Sequence, residues 1–98
     1  MAFFGEKSKV FNFIEHMIDV YDGKKIQQNE LIVSYIDGME DLYSNDVRAR
    51  CLCFNDIKEL SKNIDLNDET KERIKNFKIG TINVMDNNFY KRIGKFEF

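Results

Sequence analysis

Four times along this chain of 98 residues, apolar side chains come back every three or four positions. That spacing is the period of the α-helix, and it gives each helix one oily face that only another element can cover. The first run extends from about Lys7 to Tyr21. At 100° per residue, Val10, Phe11, Phe13, Ile14, Met17, Ile18, Val20 and Tyr21 take up about half of the circumference. Asn12, Glu15, His16, Asp19 and Asp22 take the rest. Asp22-Gly23 closes the run, because glycine accepts the left-handed backbone of a helix C-terminus.

The second run begins near Gln28 or Asn29 and reaches about Tyr43, with Leu31, Ile32, Tyr35, Ile36, Met39, Leu42 and Tyr43 on one arc. Gly38 lies at the edge of that arc, where a missing side chain would let a neighbouring helix come close. Glycine inside a helix costs about 1 kcal/mol against alanine, so a packing role would explain it. Ser44-Asn45-Asp46 supplies capping residues for a third helix to about Asn63, whose apolar face is Val47, Ala49, Cys53, Phe54, Ile57, Leu60 and Ile64. Asn67 is the cap expected for a fourth, with Asp68 and Glu69 in its first turn to complement the helix dipole.

Beyond Ile79 two patterns compete. Ile74, Phe77, Thr81, Val84 and Met85 continue one helical stripe, and Ile82, Phe89 and Ile93 form a second, offset one. Residues 81–85 and 89–92 would also serve as short strands around an Asp86-Asn87-Asn88 turn. Helix to about Tyr90 is the favoured reading, followed by an irregular or β-hairpin tail. The expected fold class is therefore all-α: one domain over residues 1–98, a small antiparallel bundle of about four helices joined by short connections.

A chain of this length holds one core and has little left over for a deep cleft. No apolar run approaches the roughly 20 residues of a membrane span, and the first residues lack the basic and apolar regions of a signal peptide. A cytoplasmic location without membrane contact is expected. Cys51 and Cys53 are too close together to staple a fold and are read as reduced thiols. Proline and tryptophan are absent, while isoleucine, asparagine, lysine and aspartate abound. An AT-rich coding sequence produces that bias, which points to a low-GC bacterium, its phage or another mobile element.

Catalytic equipment is sparse. His16 is the single histidine, on the polar border of the first helix, and a nucleophilic triad would need Cys51, Cys53 or a serine to meet it. On a helix the two cysteines point about 200° apart, which does not suit a tetrahedral zinc site; Cys53 belongs in the core and Cys51 beside it. Residues 19–30 have the length of a calcium loop, but Tyr21 and Gly23 stand where oxygen ligands belong and Lys24 replaces the required glycine. Asp37, Glu40 and Asp41 share one helical face and read as a solvated surface. The five glycines are isolated from one another, so there is no phosphate loop. No enzyme activity, cofactor or metal is expected.

Two features point to binding instead. Arg50 falls inside the apolar arc of the third helix and Leu52 outside it, which suggests a second contact surface; Phe96 and Phe98 place large apolar groups at a terminus. These four are the candidate partner-binding residues. Charge is also uneven: residues 1–70 carry 8 basic and 14 acidic side chains, −6, and residues 71–98 carry 7 and 3, +4. Lys71, Arg73, Lys75, Lys78, Lys91 and Arg92 could therefore follow a phosphate backbone. The acidic remainder opposes that, and an acidic second helix could simply complement a basic fourth. The expectation is a small regulatory protein (an inhibitor, adaptor, immunity or phage-type accessory protein) that binds another protein or its own copy stoichiometrically. Nucleic-acid binding through the basic segment is the alternative.

Overall fold

In the computed structural model, residues 2–87 are described, and the side chains of residues 9–85. They form four helices and nothing else regular: α1 (Ala2–Val20), α2 (Lys25–Leu42), α3 (Val47–Ser61) and α4 (Asp68–Asn87). The competition beyond Ile79 is resolved in favour of helix, because Phe77, Thr81 and Met85 all face the core at helical spacing. A β-hairpin over residues 81–92 is thus excluded as far as Asn87. Residues 88–98, with the remaining part of the proposed tail, lie outside the described residues.

Local chemistry sets the helix ends. Gly23 has φ +80° and turns the chain between α1 and α2, where the Lys24 N–H donates to the Tyr21 carbonyl over 2.9 Å. The Asp46 carboxylate accepts from the Ala49 N–H at 3.1 Å and opens α3; the Asn67 side-chain oxygen accepts from the Thr70 N–H at 2.8 Å and opens α4.

α2 starts at Lys25, about one turn ahead of the expected position, and Gln28 and Asn29 are buried within its first turns. Each has work elsewhere. The Gln28 amide donates to the Ile18 carbonyl at 3.0 Å, satisfying one of the acceptors that the last turn of α1 leaves open. Asn29 donates to the Lys25 and Asp65 carbonyls (2.7 and 3.0 Å) and accepts from the Asn67 N–H at 3.0 Å. One buried amide therefore ties the start of α2 to the start of α4. An exposed Lys25–Asp65 ion pair at 3.2 Å crosses the same junction.

These contacts also fix direction. Gln28 meets Ile18, Tyr35 meets Asp56, and Glu40 lies near Arg50, so successive helices are antiparallel. α2 packs against all three others, α3 and α4 also pack on each other, and the main partner of α1 is α2. Ile32, Ile36, Cys53, Ile57 and Phe77 form the centre of the core, joined by Ile14 and Ile18 from α1. Each such side chain contributes about 1.5–3 kcal/mol by leaving water. The expected face of α3 is buried from Val47 to Ile64. Two expectations about α2 fail. Leu42 is exposed, and Gly38 faces open space with nothing within 4 Å of a would-be Cβ.

Candidate interaction surface

Arg50 is the first candidate to change character. It is 3% exposed and stands between α3 and α4, so it lies inside the bundle and not on its surface. Its Nε donates to Thr81 Oγ1 at 3.0 Å and its Nη2 to the Phe77 carbonyl at 3.4 Å. The guanidinium lies over the Phe77 ring, 4.5 Å from the centroid. Glu40 Oε2 is 3.9 Å from Nη2. Burial pulls the guanidinium below its ordinary pKa, with the Glu40 carboxylate opposing that fall. Gly80 makes the arrangement possible, since a Cβ there would stand 2.9 Å from Nη2. The side chain that broke the apolar pattern is an internal tie, and Leu52 beside it is half-buried. Phe96 and Phe98 lie outside the described residues.

The basic candidates divide. Arg73 turns toward α2 and pairs with Asp37, with Glu40 at 3.8 Å. The carboxylates read as a solvated face thus serve in part as a seam between α2 and α4, and the charge of Arg73 is taken up within the bundle. Lys71 and Lys75 are exposed on the outer side of α4, and Lys78 is half-buried. Lys91 and Arg92 lie outside the described residues.

The chemistry-bearing side chains do not converge. His16 is exposed on α1, whereas Cys53 is in the core. Burial pushes the Cys51 thiol above its ordinary pKa, against the weaker pull of Arg50, which keeps it protonated and a poor nucleophile. Among the described residues no group of three or more His, Cys, Asp and Glu could hold a metal ion. The turn between α1 and α2 spans only residues 21–24, so the segment compared with a calcium loop is mostly helix. No helix is long and apolar enough to cross a membrane among the described residues. A cleft of about 500 Å³ between α2 and the first turn of α4 is lined by Ile26, Glu30, Val33, Asn67 and Glu69. A smaller one of about 170 Å³ is lined by Tyr21 of the turn after α1 and by Gln27, Glu30 and Ser34 of α2.

What the sequence did not disclose is how little of the wide apolar face of α1 the bundle uses. Ile14 and Ile18 are in the core and Phe11 packs against it. Val10 (38%), Phe13 (60%) and Val20 (56%) are exposed, and Met17 is half-buried. Positions 10, 13, 17 and 20 follow one another at steps of three, four and three, which makes a single stripe along the helix. The breadth of the face in the sequence was the available signal: a helix with one main partner needs an arc of only about 100°. On the α2 side, the smaller cleft carries the exposed carboxylate Glu30. No family model, curated protein or solved structure matches this chain.

Proposed function

We propose that the chain acts by stoichiometric binding, through the open stripe of α1, of a protein that presents an apolar helical segment with basic flanks. The carrying observation is the exposure of Val10, Phe13 and Val20 in line, beside Ile14 and Ile18 of the same helix in the core. Covering the exposed part of Phe13 alone would return about 1–2 kcal/mol. The basic character follows from the charge around it: Glu30 lines the cleft beside Tyr21, and the first 70 residues carry a formal charge of −6. A helix in an apolar groove with complementary charge at its rim is a common mode of recognition.

The test uses the full chain and two synthetic helical peptides with the same leucine spacing, one flanked by lysines and the other by glutamates. The lysine peptide should saturate at one per chain and perturb the NMR signals of α1, the glutamate peptide should not bind, and Phe13→Asp should abolish binding with helix content unchanged. Equal binding of both peptides, or binding indifferent to Phe13→Asp, would refute the assignment.

A further inference from the structure

The outward face of α4 serves neither the core nor the seam with α2. Lys71, Lys75 and Ile82 lie along one line of it, at steps of four and seven, and Ile79 stands beside them. Ile79 is 45% exposed and Ile82 37%, with Lys71 and Lys75 exposed alongside. Apolar groups flanked by cations on a rigid helix are the counterpart of the α1 stripe, with its apolar row and the Glu30 carboxylate of α2 near it. The two faces are not the ones on which these helices pack against α2. Gln28 reaches α1, whereas Asn29, Asp37 and Glu40 face α4, so α1 and α4 occupy different flanks of α2.

We infer that the occupant of the α1 stripe is a second copy of this chain, whose α4 lies across it with Ile79 and Ile82 on Phe13 and Met17 and its lysines toward Glu30. This rests on the reading of α1 as a docking surface. The contact is heterologous, since each molecule offers α4 to one neighbour and α1 to another, and it builds a ring or a row of copies rather than a two-fold dimer.

Two variants of the full chain test the pairing, Phe13→Asp to block α1 and Ile79→Glu/Ile82→Glu to block α4, each checked for helix content by circular dichroism. Sedimentation velocity of the unaltered chain at low salt should show a mass rising with concentration above the 11.6 kDa of the monomer. Each variant alone should remain monomeric. Their equimolar mixture should stop at twice the monomer mass, because one sound α1 face and one sound α4 face remain. Lys71→Glu/Lys75→Glu should weaken self-association at least tenfold at low salt, where exposed charges are least screened. A mixture that stays monomeric while the unaltered chain associates would overturn the α1–α4 pairing. An unaltered chain that is monomeric throughout would overturn self-association. If that monomer still binds the lysine peptide at α1, the docking surface stands and only the identity of its occupant fails. Retention on duplex DNA at low salt, abolished by Lys71→Glu/Lys75→Glu, would assign the α4 face to nucleic acid and equally overturn the inference.

Discussion

Alanine at position 80 should destabilise this protein, although alanine is ordinarily the better helix residue. In an unencumbered helix interior Gly80→Ala would gain about 1 kcal/mol. Here the new Cβ would stand 2.9 Å from Arg50 Nη2, so the guanidinium must move. Movement puts at risk the 3.0 Å bond to Thr81, the long 3.4 Å bond to the Phe77 carbonyl and the stacking at 4.5 Å on the Phe77 ring. Hydrogen bonds from a charged donor contribute about 1.5–3 kcal/mol each. Loss of one good bond therefore outweighs the gain, and Gly80→Ala should cost about 0.5–2 kcal/mol. In an Arg50→Met background the obstacle is gone and the same substitution should stabilise by about 1 kcal/mol. The coupling between the two sites is then about 1.5–3 kcal/mol, measurable as a double-mutant cycle by urea unfolding followed at 222 nm. If Gly80→Ala stabilises both backgrounds equally, Arg50 gives way freely and the account of it as a fixed tie is wrong.

Asn29→Leu should cost about 1–3 kcal/mol in the same urea assay, because it leaves the part-buried Asp65 carbonyl and Asn67 N–H without their partner; a loss below about 0.5 kcal/mol would show that the junction heals itself. Tyr35 governs the alkaline limb of stability. Burial, together with the nearby Cys53 and Asp56, pushes its phenol well above the ordinary value of 10.0, while the unfolded chain ionises near that value. A raised folded pKa means stability that is whole below pH 10 and lost above it, so unfolding free energy should fall from about pH 10 upward. Tyr35→Phe should flatten that fall and lower neutral stability by about 0.5–1.5 kcal/mol, for the lost 3.2 Å bond to Asp56. An unchanged alkaline slope would remove Tyr35 as its source.

How much of this was legible in the residues depends on whether a feature is local. The caps at Asp46 and Asn67 and the turn at Gly23 are decided by nearest neighbours, and they stand where the sequence put them. The face of α3 was legible for a related reason, since helical period alone selects its residues. A wheel assigns faces but does not say which neighbour covers them. Gly38 was expected to admit a close neighbour and faces open space, whereas Gly80, unremarked in the sequence, admits Arg50. Arg50 looked like a contact for a partner because its acceptors, Thr81 and the Phe77 carbonyl, lie 31 and 27 positions away. The proposed interaction surface moved from α3 to α1 on the same ground: exposure is a property of the assembled bundle.

The dependence of α1 on one main neighbour, across the short glycine turn at Gly23, makes it the bundle's most detachable element. Opening it breaks the contacts of Ile14 and Ile18 and the Gln28 amide bond but leaves the Arg50 tie and the Asn29 junction intact. Its amides should be among the first to exchange with deuterium, well ahead of those in α3. An arm released that easily can also be traded: two molecules could each lay α1 on the other's α2, remaking every native contact in a swapped pair.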